Sequence, residues 1–129
     1  MMFHHIGVAC RDLGTETRRL AALGYAVEGP DFEDPIQGVK GRFLSGAGPR
    51  LELLVPLAQK GCLAPWIQAG VKLYHMAYET CTLDADIREL RGAGAKIIVH
   101  PVAAVAFERR RIAFLMLPNM LLIELISTC

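Results

Sequence analysis

The sequence predicts an α+β domain made of two tandem modules, each running strand, helix, strand, strand, strand. Three observations predict it. The apolar run FHHIGVA, from Phe3, recurs as LYHMAYE from Leu73. Both runs lead into a helical spacing closed by a glycine, and both halves end on an apolar strand carrying one glutamate, in RLELLVP and LLIELIS. Self-similarity of this kind marks a duplicated supersecondary unit, so the chain is read module by module.

From Phe3 to Ala9 the strand alternates faces: Phe3, His5, Gly7 and Ala9 point one way, His4, Ile6 and Val8 the other. Leu13, Thr17 and Leu20, at i, i+4 and i+7, predict an amphipathic helix that stops at Gly24. A short strand from Tyr25 to Glu28 follows, and then a hairpin turning through Gly46, Ala47, Gly48 and Pro49. The connector GCLAPWIQAGVK holds one short helix with Pro65 near its start and Trp66 as a packing anchor. The second module repeats the scheme, with a helix on Leu83, Ile87 and Leu90 closed by Gly94, a short strand from Ala95 to Val99, and a hairpin turning at Pro118 and Asn119. His100, preceding Pro101, is expected in a loop. The chain is expected to be one domain over 1–129, with module one at about 1–57, the connector at 58–72 and module two at about 73–129.

A chain of 129 residues with 53% apolar side chains buries a real core. Its apolar stretches are strand-length and interrupted by charge or glycine, so no membrane span is expected. The N-terminus shows no basic region followed by an apolar run and a cleavage site, and the expected compartment is the cytoplasm. With 14 basic and 13 acidic residues the net charge is +1, which leaves no electrostatic footprint for nucleic acid. Cys10, Cys62, Cys81 and Cys129 lack a C-x-x-C spacing and read as reduced, mostly packing thiols. The basic cluster Arg109, Arg110 and Arg111 reads either as a solvated strand entrance or as an anchor for a phosphate or carboxylate on a substrate.

Four polar residues sit where the pattern asks for apolar ones. His5 and His75 stand inside the first strand of each module, and Glu52 and Glu124 inside the last. An ionised carboxylate in such a setting costs several kcal/mol unless it is paired or coordinates a metal. From His5 to Glu52 is 47 residues and from His75 to Glu124 is 49, so both modules offer one imidazole and one carboxylate at nearly the same spacing. Packing about a pseudo-twofold axis would converge the four in one cleft. Two neutral imidazoles and two carboxylates make a mixed nitrogen and oxygen site suited to a divalent ion. Any one of these residues also fits a satisfied core or surface position; the recurrence at equivalent places is what favours a site. His4 is assigned a structural or exposed role.

Through FHHIGVA, LELLVPL, LAPWIQAG, LYHMAYE and AFLMLPNMLLIELI, the chain resembles, over essentially its whole length, the vicinal oxygen chelate superfamily of glyoxalases, bleomycin resistance proteins and dioxygenases. The resemblance is nearest to the methylmalonyl-CoA epimerase-like and lactoylglutathione lyase-like members. It implies a glyoxalase-like fold, two βαβββ modules forming a cup-shaped, mostly antiparallel sheet. It implies His5, Glu52, His75 and Glu124 as ligands of a divalent ion of nickel, cobalt, manganese, zinc or iron. In the epimerase branch a further acid/base carboxylate lies just before a Gln-Gly-Val stretch. Here that stretch is Gln37, Gly38 and Val39, and Ile36 before it carries no proton. Glu33, Asp34 and Glu108 are the carboxylates left to replace it, and the departure speaks against true methylmalonyl-CoA epimerase activity.

The function so implied is a metal-dependent isomerase or lyase that removes a proton next to the carbonyl of a small carbonyl compound or acyl thioester, with Glu124 and Glu52 as the catalytic carboxylates. Arg42, Arg50, Glu108 and Arg109 are candidates for substrate contact. A rival reading, kept open by Ile36, is a non-catalytic small-molecule binding or resistance protein on the same fold. An iron-dependent dioxygenase fits less well, because such enzymes use two histidines and one carboxylate and leave more positions open. Met1, Phe3 and the strand from Leu121 to Ile126 offer apolar surface for an expected homodimer.

Overall fold

A computed structural model describes residues 1–58 and 61–129. Its contacts divide the chain into two units, His5–Tyr74 and Met1–His4 together with His75–Cys129.

The unit His5–Tyr74 takes β1 (Met2–Ala9) from His5 onward, then helix α1 (Leu13–Ala21), β2 (Ala26–Asp34), β3 (Val39–Ser45), β4 (Leu51–Pro56) and the short helix α2 (Ala64–Gln68), with Pro65 in its first turn. Asp12 starts α1 because its carboxylate accepts the Thr15 N–H at 2.7 Å, satisfying a donor the helix leaves open. The strand order is β2-β3-β4-β1, with β4 antiparallel to β3 and parallel to β1. Alternation then gives the sheet two unlike faces. Val8, Leu44, Leu51 and Leu53 bury with Cys10 and Leu13 of the helical side, each large aliphatic contributing about 1.5–3 kcal/mol. His5, Phe43 and Glu52 lie on the other face. Trp66 packs edge-on against Tyr74, with ring centroids 5.2 Å apart.

The second unit repeats the plan with β5 (Leu73–Thr80) from His75 onward, α3 (Leu83–Gly92), β6 (Lys96–Ala103), a single 3-10 turn at Val105–Phe107, β7 (Arg111–Met116) and β8 (Leu122–Ser127). Its order is β5-β8-β7-β6, again with the first and last strands parallel. Leu83 and Ile87 of α3 bury against Ala113, Leu115, Ile123 and Leu125, which turns His75, Phe114 and Glu124 to the opposite face.

Three expectations are corrected. The strands after each helix run past Glu28 and Val99 to Asp34 and Ala103, so His100 is an exposed strand residue and lies in no loop. Each is an edge strand of its unit and slips register around a proline, Pro30 between Glu28 and Phe32, and Pro101 between Val99 and Val102. Proline has no N–H for the ladder and is tolerated where an edge strand bulges. Of the four thiols only Cys10 packs inside; Cys62, Cys81 and Cys129 are exposed. The strand proposed for a dimer face is buried in its own chain from Leu122 to Ile126, leaving Met1, Phe3 and Leu121 exposed. No helix among the described residues is long and apolar enough to cross a membrane.

Candidate metal centre

Strand register brings one histidine and one glutamate together in each unit. Glu52 is the Cα partner of Gly7, and His5 stands two residues earlier on the same face of β1. Gly7 has no side chain to fill the space between them, and His5 Nε2 meets the Glu52 carboxylate at 3.3 Å. Glu124 is partnered by Ala77, again a small residue, and His75 Nε2 meets Glu124 at 3.1 Å. All four residues are buried, with exposures between 0% and 4%.

Each pair is backed by a phenylalanine that sequence reasoning missed. Phe43 is the cross-strand partner of Glu52, and Phe114 of Glu124. Their rings stand edge to face against the imidazoles, 5.6 Å from His5 and 5.1 Å from His75 between centroids. Such contacts contribute about 0.5–1.5 kcal/mol and fix the ring planes. The signal that could have found them is hairpin register, since each phenylalanine lies straight across the last turn from its glutamate.

Two imidazoles and two carboxylates in otherwise apolar strands are the donor set of a borderline divalent ion. Each unit thus offers one imidazole and one carboxylate as metal-ligand atoms, His5 with Glu52 and His75 with Glu124.

The other candidates go to different places. Arg42 faces α1: Nε and Nη2 grip Asp31 at 2.7 and 2.8 Å, and Nη1 donates to Thr17 Oγ1 at 3.0 Å. It closes the β2 bulge onto β3 and α1, and its hydrogen bonds hold the Asp31 carboxyl below its usual range. Arg50 Nε lies 3.2 Å from Glu28, the cross-strand partner of Phe43. Glu108 and Arg109 occupy an exposed turn with φ of 55° and 63°. Arg111 turns to Asp84, its Nη1 and Nη2 donating at 3.2 and 2.9 Å. Ile36 and Glu33 are exposed. Asp34 is buried but accepts the backbone N–H groups of Ile36 and Gln37 and the Gln37 Nε2, at 3.0, 3.1 and 2.9 Å. It shares a row with Val39 and Pro56, four residues or about 13 Å along β4 from Glu52, and so locks its own turn. His4 lies 3.7 Å from Glu79 and edge-on to Phe107.

A profile of the Glyoxalase/Bleomycin resistance protein/Dioxygenase superfamily matches residues 4–114, and the chain belongs to that superfamily. No curated protein is similar enough to match. Among solved structures, a hypothetical protein from Bacillus halodurans is 27% identical, with 98% of this chain and 94% of that one covered and a TM-score of 0.83. A variant of Streptomyces coelicolor methylmalonyl-CoA epimerase in complex with 2-nitronate-propionyl-CoA is 27% identical, covering 100% and 99%, at a TM-score of 0.82. Methylmalonyl-CoA epimerase from Mycobacterium tuberculosis is 23% identical, covering 99% and 88%, at 0.81. These likenesses span the chain and show the glyoxalase-like fold.

Proposed function

We propose that the chain is a divalent-metal-dependent isomerase or lyase, in which His5, Glu52, His75 and Glu124 hold one ion and a proton is removed next to the carbonyl of a small carbonyl compound or acyl thioester. The observation that carries this reading is the buried His–Glu pair with its backing phenylalanine, present at equivalent places in both units. One buried ion pair is weak evidence of anything, since burial costs as much as pairing returns; the same costly arrangement twice calls for a common purpose.

A bound divalent ion supplies Lewis acidity, polarising a carbonyl oxygen and making the adjacent C–H more acidic. The chain's own residues do the rest. Phe43 and Phe114 keep the imidazoles in plane beside the glutamates. Leu54 and Ile126, each two residues beyond a glutamate on its own strand, are buried and keep bulk water away. Glu124 or Glu52 accepts the proton from carbon, the C–H electron pair passing into the carbonyl. The epimerase complex with 2-nitronate-propionyl-CoA supports acyl thioesters as one substrate class. The exposed Ile36, where a second acid/base group belongs, favours the alternative of a binding protein on the same fold. The assembly we assign is a cytoplasmic homodimer.

Solvent exchange tests the reaction. Protein loaded in turn with nickel, cobalt, manganese or zinc is held in deuterium oxide with methylmalonyl-CoA, propionyl-CoA or a thiol hemiacetal of methylglyoxal, and loss of the proton next to the carbonyl is followed by NMR. Exchange above background is expected for at least one probe, falling about 10²–10⁴-fold in Glu124→Gln. Bound metal with no exchange in any probe would leave only the binding protein.

A further inference from the structure

The corner where β1 hands over to α1 encloses a cavity of about 350 Å³, at the lower end of the size range of small-molecule sites. One wall carries Asp12, at the cap of α1, with Glu16 and Arg19 beyond it, spaced as one stripe along the helix. The other is formed by Arg11 and the segment 70–72 that follows α2. α1 covers the side of the sheet opposite His5 and Glu52, since its Leu13 buries with Val8 and Leu53.

Three cations, Arg11, Arg19 and Lys72, and two carboxylates line this cavity, a formal balance of +1, and their pairing is uneven. Glu16 accepts Lys72 Nζ at 2.9 Å, and Asp12 accepts the Thr15 N–H that starts the helix. Arg11 and Arg19 make no hydrogen bond or ion pair among the described residues. The two guanidiniums are the groups with donors to spare, and together they raise the potential of the hollow toward an anion.

The duplication supplies its own comparison. Seventy residues on, where His75 answers His5 and Leu83 answers Leu13, the corner of β5 and α3 encloses a similar cavity of about 360 Å³. There Cys81 and Thr82 stand for Arg11 and Asp12, Asp86 stands for Glu16, and no arginine or lysine lines the wall. The fold makes the hollow in both units, so the guanidiniums of the first are particular to its sequence and are not required by the architecture.

We infer that the cavity beside α1 binds a small phosphate monoester, held between Arg11 and Arg19, as a ligand separate from the metal centre. A phosphate dianion presents three oxygens, enough for a guanidinium fork from each side. The volume leaves room for a small ester body against Ile67 and Val71. Asp12 is the group that opposes the anion. The site stands whether or not the His–Glu pairs take up an ion.

The probe is glycerol 3-phosphate, with glycerol as its uncharged counterpart and glycerate as its carboxylate counterpart. Each is titrated at constant ionic strength into metal-free and zinc-loaded protein, with affinity from calorimetry and the arginine side-chain N–H resonances followed by NMR. Glycerol 3-phosphate is expected to shift Arg11 and Arg19 saturably in both samples and to leave the Cys81 and Thr82 amides in place. In metal-free protein it should bind at least tenfold tighter than glycerate, and glycerol should not bind. Arg11→Gln and Arg19→Gln should each weaken it at least tenfold, and Arg88→Gln, on the exposed side of α3, not at all. Asp12→Asn keeps a helix cap and removes the opposing charge, so it should tighten binding. The wild-type resonances decide the matter even where a variant folds poorly. Absence of saturable binding, equal affinity in either arginine variant, or shifts centred on Cys81 overturns the inference. Binding seen only with zinc would place the phosphate on the metal and overturn it too, and glycerate binding as tightly would overturn the phosphate assignment.

Discussion

Glu52 and Glu124 are ordinary carboxylates in expensive surroundings, and their replacement tests stability and binding together. Glu124→Gln keeps the shape but takes the charge out of its buried pair with His75, so metal-free stability should fall. Zinc affinity, measured by calorimetry, should fall by at least tenfold, the loss of even a supporting group typically reaching 10–100-fold. A quite different residue, Cys10, has its thiol pushed up to about 11, first by burial and then by nearby Glu16. Native protein treated with iodoacetamide near pH 8 should take up label at the exposed Cys62, Cys81 and Cys129 and not at Cys10, which reacts only after denaturation; intact mass reads the count. The two histidines and two glutamates were legible in the sequence because a polar residue in an apolar strand breaks the pattern. Phe43 and Phe114 were not, because a phenylalanine there obeys it.

Among the elements, β2 is where local sequence misleads. Pro30 and the neighbouring Gly29 and Asp31 look like the end of a strand, yet β2 continues to Asp34 because Asp31 is gripped by Arg42 from β3. A one-dimensional reading takes Arg42 as free to meet a substrate; only the bulge shows its partner. Arg42→Ala should cost no more than about 1 kcal/mol, the pair being partly exposed and screened. The sign of its pH dependence follows from Asp31, whose carboxyl is held below its ordinary 3.8 by the Arg42 hydrogen bonds. A depressed folded value stabilises above the unfolded one and is lost as pH falls through it. The stability gap between wild type and Arg42→Ala, from urea melts, should therefore persist near neutral pH and close below about pH 4. Gly41 tests the packing of the same hairpin: a Cβ there would run into the Phe32 ring, itself 5.7 Å from Phe43 between centroids. Gly41→Ala should lower stability by about 1–3 kcal/mol, visible as a lower thermal midpoint.

At the scale of the whole chain, the duplicated plan was the most legible feature, because strand, helix and glycine stop recur in the same order in both halves. The glyoxalase-like fold and the superfamily follow from it. Less legible was what each half adds to its own pair: the pairing of Arg50 with Glu28 in one unit, and of Arg110 with Glu79 in the other, arises from register and bulges that no spacing rule reports. The central claim is that the two buried pairs serve one ion. Its most direct test is metal per chain by plasma mass spectrometry, on protein purified without a histidine tag or chelator and incubated with nickel, cobalt, manganese or zinc, beside a His75→Ala, Glu124→Gln double variant. The account predicts about one divalent ion per wild-type chain and none retained by the variant. A wild-type chain that takes up no ion, or a variant that keeps it, would contradict it.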